Sequence, residues 1–180
     1  MIKVAILGPE STGKTALAKS LAEYFNAPWV PEHAREYVEK LTAPYTYADV
    51  CNIALMQIEQ EKYYEEHPEL SDSYVFFDTD LIITSVWFEY KYGLVPEFVT
   101  ERLRAGFIDL YLLCVPDLPW ETDPVREHGA DRDFFYNWYK KEIEQTGKPS
   151  VIVKGIGNQR VQNAIDAINI QTDEMKRIKK

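Results

Sequence analysis

The feature that most constrains this chain is an eight-residue run close to its start. Residues 8–15 read Gly-Pro-Glu-Ser-Thr-Gly-Lys-Thr, which matches the G-x-x-x-x-G-K-[ST] pattern of a phosphate-binding loop. An apolar, β-branched run over residues 2–7 precedes the loop, and a helical stripe over residues 16–25 follows it. Strand, glycine loop and helix therefore occur in the order that the pattern requires. We expect this loop to bind a nucleoside triphosphate.

The residue types of the loop explain the expected chemistry. Gly8 and Gly13 let the backbone curl, so that consecutive amides point into one concavity and bind phosphate oxygens. Lys14 is expected to reach the β- and γ-phosphates, and the hydroxyl of Thr15 to ligate Mg²⁺. ATP and Mg²⁺ are therefore the expected cofactors. The predicted nucleotide-binding set also includes three residues between the glycines: Glu10, Ser11 and Thr12.

Composition narrows the classes of protein. The chain has 180 residues, of which 46% are hydrophobic and 27% charged, as in a globular domain. We predict one kinase domain over residues 1–170 and a polar tail over residues 171–180 that frays. A formal charge of −9 argues against nucleic-acid or membrane-surface partners. Two cysteines and three histidines offer no disulfide framework or metal-ligand spacing, and the cytoplasm is the expected location.

Apolar runs alternate with helical patterns along the whole chain. The expected strands cover residues 2–7, 28–31, 74–78, 108–115 and 151–153, and the last helix is expected over residues 160–168. This alternation predicts an α/β fold, a kinase-type P-loop NTPase with a five-stranded parallel sheet between two helical layers. Residues 116–130 are rich in proline and acid without an apolar period, which indicates an exposed, mobile lid. Ligands of such sheets bind at the carboxyl ends of the strands.

Acidic residues follow two of the predicted strands. Asp78 ends the third strand, where a carboxylate contacts Mg²⁺ directly or through water. Asp80 could reach a substrate hydroxyl or cap the next helix, and the two interpretations are evenly balanced. Glu32 and Arg35 follow the second strand, on the side where a phosphoryl acceptor would lie. Taken by themselves, those two residues are better interpreted as a solvated ion pair.

Two arginines are associated with the predicted lid. Arg126 lies within it and Arg132 just after it. Placed over a triphosphate, both would neutralise the charge that develops on the transferred phosphoryl group. The alternative is two surface arginines among acidic neighbours, and we favour the functional interpretation. No Asn-Lys-x-Asp follows a strand and no Asp-x-x-Gly follows the third, so the sequence indicates a small kinase and not a GTPase switch.

Four motifs together resemble the nicotinamide riboside kinase domain of NadR-type proteins. They are the phosphate loop, Pro-Glu-His-Ala-Arg-Glu-Tyr at 31–37, Phe-Asp-Thr-Asp at 77–80 and Pro-Trp-Glu-x-Asp-x-x-Arg at 119–126. The resemblance covers nearly the whole chain in the same order. It implies transfer of the γ-phosphate of ATP to the ribose 5′-hydroxyl of nicotinamide riboside, which gives nicotinamide mononucleotide.

The resemblance also implies roles for individual residues: acceptor binding for Glu32, Arg35 and Asp80, lid contacts for Arg126 and Arg132, and stacking on a nicotinamide ring for Tyr63. The sequence departs from the family pattern in two ways. The family places a tryptophan just before the acidic residue that follows the second strand, and Pro31 occupies that position here. The adenylyltransferase half and its H-x-G-H-type motif are not found, so only the kinase step is expected.

The prediction is therefore a Mg·ATP-dependent kinase of a small, nucleoside-like molecule. Glu32 or Asp78 would orient or deprotonate the acceptor hydroxyl. Lys14, Arg126 and Arg132 would stabilise the transition state together with Mg²⁺. The alternative is a nucleotide-binding regulatory module that hydrolyses ATP slowly and phosphorylates no small molecule.

Overall fold

The computed structural model describes residues 1–71, 73–122 and 129–178, and its strands form one parallel sheet. The order across the sheet is β2-β3-β1-β4-β5. The strands are β1 (Ile2–Leu7), β2 (Trp29–Val30), β3 (Tyr74–Asp78), β4 (Leu110–Cys114) and β5 (Ser150–Val153). The predicted five-stranded parallel sheet is thus confirmed within the described residues.

Helices cover both faces of the sheet. They are α1 (Lys14–Phe25), α2 (Ala34–Glu39), α3 (Tyr47–Glu66), α4 (Leu81–Tyr92), α5 (Glu97–Ala105), α6 (Arg132–Gln145) and α7 (Asn158–Ile178), with a short 3₁₀ turn at Pro68–Leu70. On one face the sheet packs against α1 and α7, and on the other against α4 and α6. The predicted three-layer arrangement of helix, sheet and helix is therefore confirmed.

Alternate residues of β1 serve the two helical layers. Val4 and Ile6 pack with α1 and α7, whereas Ala5 and Leu7 pack with α4 and α6. All four side chains are fully buried, which explains why the strand reads as a continuous apolar run. Burial of each of the larger side chains, those of Val4, Ile6 and Leu7, stabilises the fold by about 1.5–3 kcal/mol.

The strand register brings several carboxyl ends to one edge of the sheet. Ile6 of β1 lies opposite Asp78 of β3 and opposite Leu112 of β4. The chain therefore leaves these strands at the same level, and the loops that follow converge there.

The C-terminal region differs from the prediction. Helix α7 runs to Ile178, whereas a helix ending at residue 168 and a frayed tail from residue 171 were expected. Thr172 is buried, and it accepts a hydrogen bond of 3.2 Å from the hydroxyl of Tyr74 at the start of β3. This tertiary contact holds the later turns of α7 against the sheet. None of the described helices is both long and apolar enough to cross a membrane.

Candidate active site

A cavity of about 750 Å³ opens where the loops after β1, β2, β3 and β4 converge. Its first wall, which we name the loop half, consists of residues 8–16 with residues 118, 119 and 121. Its second wall, the helix half, consists of side chains from α2, α3, α4, α6 and the connection between α2 and α3. Every residue of the predicted phosphate loop lines this cavity.

Two residues of the loop half have a left-handed backbone conformation, and a third has no room for a side chain. Gly13 has a φ of 72° and Ser11 a φ of 56°, both in the left-handed region. A Cβ atom at Gly8 would lie 2.8 Å from the carbonyl oxygen of Cys114, so no side chain fits there. Helix α1 begins after Gly13 without a side-chain cap, so its first amides are open to an anion.

Two side chains close the loop on itself. The hydroxyl of Thr12 donates to the carbonyl oxygen of Pro9 at 2.8 Å, and Nζ of Lys14 donates to the same oxygen at 3.0 Å. The ammonium of Lys14 is therefore held against its own loop, and Lys14 also lines the cavity. A phosphate bound by the amides of this loop would also meet this ammonium.

The side chain of Arg160 supports the loop half, a role that no sequence pattern indicated. This side chain is 4% exposed. Its Nη1 donates to Oδ1 of Asp117 at 2.6 Å and to the carbonyl of Gly155 at 2.7 Å. Its Nη2 donates to the carbonyls of Thr12 at 3.0 Å and Val115 at 3.1 Å. One guanidinium thus joins the phosphate loop to the segments that follow β4 and β5.

Asp78 and Thr15 offer oxygen ligands beside the loop. Asp78 is buried at the end of β3, and its Oδ1 has no hydrogen-bond partner among the described residues. Burial raises the pKa of Asp78, while a hydrogen bond from Thr15 and the charge of Lys14 act in the opposite direction. A partnerless carboxylate oxygen next to a hydroxyl fits Mg²⁺, which takes oxygen ligands.

A dedicated metal cage is not found in the part of the chain that the structure describes. No group of three or more histidine, cysteine, aspartate or glutamate side chains there could hold a metal ion. A cation at Asp78 and Thr15 would therefore complete its shell with phosphate oxygens and water, as Mg²⁺ in nucleotide sites does.

Glu32 stands between the two walls. It follows β2, is half-buried and lines the large cavity. Burial raises the pKa of the Glu32 carboxyl, Lys14 opposes this shift most strongly, and the negative charge of Asp78 adds to it. The predicted residues Lys14, Glu32 and Asp78 are therefore close enough to act on one another electrostatically.

Asp80 caps helix α4, which is one of the two roles that the sequence predicted for it. Its Oδ1 accepts a hydrogen bond of 2.9 Å from the amide of Ile82 at the start of α4. Burial raises the pKa of Asp80 to about 7, and the charge of Glu61 adds to the shift. Asp80 does not line the large cavity. With Glu32, Glu61 and Asp78 it lines a second cavity of about 10 Å³, enough room for about one water molecule.

Thr79 lies between the two aspartates and borders both cavities. Its φ is 73°, in the left-handed region, which is unusual for a β-branched residue. Its amide still donates to the carbonyl of Ile6 at 3.1 Å, so the chain bends without losing that bond. Strained backbone of this kind costs about 1–3 kcal/mol and clusters at functional sites.

The remaining predicted residues are placed less centrally. Arg35 lines the large cavity and forms an ion pair at 2.9 Å with Glu39, one turn along α2. Its positive charge also acts on Glu32, where it opposes the rise in the pKa of that carboxyl. Arg132 begins α6 and donates from Nη1 to the carbonyl of Leu118 at 2.8 Å, which fastens the segment beside the phosphate loop. Arg126 lies outside the described residues.

Tyr63 is not brought to the cavity. Its ring, 48% exposed, lies parallel to that of His67 near the end of α3, with the ring centroids 4.4 Å apart. The residues of α3 that do line the large cavity, Val50 and Ile53, belong to its first two turns. The stacking role that the resemblance implied for Tyr63 therefore has no geometric support.

Other aromatic side chains line the helix half instead. Trp87 of α4 stacks on Phe135 of α6 with ring centroids 5.9 Å apart, and Tyr45 meets Trp87 edge-on at 6.5 Å. Tyr92 and Tyr139 complete this aromatic lining. Nζ of Lys91, also in the lining, lies 3.6 Å from the centroid of the Tyr45 ring. Sequence analysis assigned none of these residues, because only packing between separate helices brings them together.

Comparison with known protein families gives a match over most of the chain. The family described as AAA domain matches residues 3–160. The trifunctional NAD biosynthesis/regulator protein NadR of Escherichia coli (strain K12) is 30% identical over 151 residues, 79% of this chain and 35% of the relative. NadR of Salmonella typhimurium (strain LT2) is 30% identical over 157 residues, 84% of this chain and 38% of the relative. The chain thus spans little more than a third of the length of these relatives.

The solved structures that this chain resembles also include a NadR protein. The crystal structure of NadR in complex with NR has a TM-score of 0.70 and 27% identity, covering 93% of this chain and 50% of that one. Thymidylate kinase from Ehrlichia chaffeensis has a TM-score of 0.63 at 14% identity, covering 93% of this chain and 98% of that one. At that identity, the second likeness supports the fold alone.

Proposed function

The chain belongs to the AAA domain family, and from this premise we propose that it is an ATP-dependent kinase that phosphorylates the ribose 5′-hydroxyl of nicotinamide riboside. The observation that carries the proposal is the place of Glu32. This carboxylate lies beside Lys14 of the phosphate loop and also lines a cavity with a second, aromatic wall. A protein that only bound or hydrolysed ATP would need the loop half and would have no use for the helix half. The NR bound to NadR supports nicotinamide riboside as the acceptor.

The proposed reaction is a single in-line transfer. The ribose 5′-oxygen attacks the γ-phosphorus of ATP, and the bond from that phosphorus to the β,γ-bridging oxygen breaks. ADP leaves with the electron pair of that bond, and the hydroxyl proton passes to the Glu32 carboxylate and from there to solvent. The second product is nicotinamide mononucleotide.

In this reaction Glu32 orients the acceptor. A carboxylate accepts a hydrogen bond from the ribose hydroxyl and aims its oxygen lone pair at the phosphorus. Because burial raises the pKa of Glu32, the carboxylate is also a better proton acceptor than an exposed one. Because Glu32 lies close to Lys14, an acceptor hydroxyl bound by Glu32 would share one cleft with a triphosphate on the loop.

The loop half holds the triphosphate and stabilises the charge that moves during transfer. The open amides at the start of α1 and the ammonium of Lys14 are positioned for the β- and γ-phosphates. Asp78 and Thr15 would hold Mg²⁺, which neutralises phosphate charge when it is bound. Arg132 fixes the carbonyl of Leu118 beside the loop. Together these groups keep the γ-phosphorus in line with the acceptor.

The decisive experiment is coupled ADP release with and without nicotinamide riboside. We expect the riboside to stimulate the wild type, and Glu32→Gln to reduce that stimulated rate by roughly 10²–10⁴-fold, the usual contribution of a positioned base. Hydrolysis by water alone should change little. Glu36→Gln is the matched control, because Glu36 is exposed on α2 and pairs with Lys40. A wild type that no riboside stimulates would favour the regulatory module instead.

A further inference from the structure

The charged residues that line the large cavity are unevenly divided between its walls. The acidic ones lie at the phosphate loop: Glu10 is part of it, Glu32 interacts with Lys14, and the backbone of Glu121 bonds to the Ser11 hydroxyl. In the helix half, the charged lining residues that the structure describes are Arg35 and Lys91. The wall that would face the base of a riboside is therefore positive.

Lys91 is the less satisfied of these two cations. Arg35 pairs with Glu39 at 2.9 Å, whereas no carboxylate in the described ranges forms an ion pair with Lys91. Its ammonium instead lies over the Tyr45 ring at 3.6 Å. A lysine in the last turn of α4 also interacts favourably with the helix dipole, but that interaction does not require a place in the cavity wall.

A second donor without an acceptor lies beside Lys91. Tyr92 lines the same cavity, and its buried hydroxyl has no hydrogen-bond partner among the described residues. Lys91 and Asp49 both act electrostatically on this hydroxyl. Asp49 is already occupied, because it accepts hydrogen bonds from Thr46 and Tyr37 at the start of α3. An ammonium and a phenol, neither with a hydrogen-bonded carboxylate partner among the described residues, thus share one region, and Asp49 nearby is engaged at the start of α3.

The charge of the acceptor base decides what fits this region. The ring of nicotinamide riboside is a cation with a neutral carboxamide, so the Lys91 ammonium would repel it. That ammonium also covers the Tyr45 ring, on which a cationic ring would otherwise stack. A pyridinium that bears a carboxylate has no net charge, and its carboxylate can pair with Lys91 and accept from Tyr92.

Building on the proposed function, we propose that the preferred acceptor is the riboside of a pyridine carboxylic acid, with Lys91 and Tyr92 as the residues that recognise its carboxylate. The transfer itself is unchanged: the 5′-oxygen bonds to the γ-phosphorus, ADP leaves with the electron pair of the broken bond, and the hydroxyl proton passes through Glu32 to solvent. The product is the mononucleotide of the pyridine carboxylic acid. Trp87, stacked on Phe135, supplies an aromatic surface for the ring.

The test compares kcat/KM for nicotinic acid riboside and nicotinamide riboside in four proteins. They are the wild type, Lys91→Met, Tyr92→Phe and the control Lys40→Met; Lys40 is exposed and pairs with Glu36 away from the cavity. We expect the wild type to prefer nicotinic acid riboside. Lys91→Met should lower kcat/KM for that riboside by roughly 10- to 100-fold, the contribution of a charge-assisted hydrogen bond. Tyr92→Phe should lower it by roughly 5-fold.

The values of kcat/KM for nicotinamide riboside distinguish a loss of carboxylate recognition from a general loss of activity. Lys91→Met should raise kcat/KM for nicotinamide riboside, because a repulsive charge is removed, and Lys40→Met should alter kcat/KM for neither riboside. A wild type that prefers nicotinamide riboside, or a Lys91→Met protein that loses both activities equally, would overturn this inference while leaving the proposed kinase intact. If neither riboside is phosphorylated, the proposed function itself fails.

Discussion

The two walls of the cavity are built in opposite ways. The loop half is mostly one continuous segment, residues 8–16, whose shape is set by backbone conformation and by the brace from Arg160. The helix half is assembled from side chains on separate helices, such as Val38 on α2 and Trp87 on α4. This molecule would therefore bind phosphate mainly through its backbone and the rest of its substrates through its side chains. Changes in the two walls should therefore have different kinetic signatures.

The largest effect is expected from Lys14→Ala, in the loop half. Removing the ammonium should lower kcat roughly 10³-fold, because its partner charge grows in the transition state. The melting temperature should hardly change, since the one described hydrogen bond that is lost is to the carbonyl of Pro9. Single-turnover kinetics and a thermal melt measure both quantities. Lys140→Ala, an exposed lysine paired with Glu144 on α6, is the control; near-normal turnover in Lys14→Ala would contradict the assignment of the loop.

Arg160→Lys should have the next largest effect and should separate the two walls. Lysine keeps the charge but cannot span the four acceptors that the guanidinium reaches. We expect KM for ATP to rise roughly tenfold and the free energy of unfolding to fall by about 2 kcal/mol, because buried acceptors lose their donor. Titrations of both substrates and urea unfolding test this, with Arg104→Lys on the exposed face of α5 as the control. An equal rise in KM for the riboside would show that the walls are not independent.

Trp87→Leu should give the converse pattern. Loss of the ring stacked on Phe135 should raise KM for the riboside by roughly tenfold, whereas KM for ATP should stay the same. The control is Tyr24→Leu, because Tyr24 is exposed near the end of α1 and is not part of the lining. The distinction between the walls breaks down if KM for ATP rises in parallel.

The smallest effect is expected from Tyr63→Ala. Since this ring stacks on His67 and borders neither cavity, both KM values should stay within about twofold of the wild type, as for surface changes in general. His67→Ala, which removes the other ring of the pair, should behave in the same way. A tenfold rise in KM for the riboside, confined to Tyr63→Ala, would restore the stacking role that the family resemblance implied.

The sequence predicts the loop half better than the helix half for a physical reason. The phosphate loop and the acid at the end of β3 are fixed by local backbone geometry, so their spacing along the chain is enough to identify them. Tyr45, Trp87 and Lys91 meet only after α4 has packed against the segment before α3. Arg160 belongs to no motif, and only the folded chain shows which carbonyls it reaches.

One error in the sequence interpretation has a clear physical origin. Polar residues after position 170 indicated a frayed tail, yet the contact between Thr172 and Tyr74 keeps them helical. A long-range contact decided between alternatives that the local pattern could not separate.

The close approach of Gly8 to the carbonyl of Cys114 has a consequence for directed evolution. A library that varied position 8 would be lost almost entirely, because even a methyl group collides with the neighbouring strand. Val38, Trp87 and Lys91 line the cavity from helices and not from strands, so substitutions there leave the sheet untouched. Randomising the helix half alone should therefore yield variants that retain ATP as the phosphoryl donor and take new acceptors.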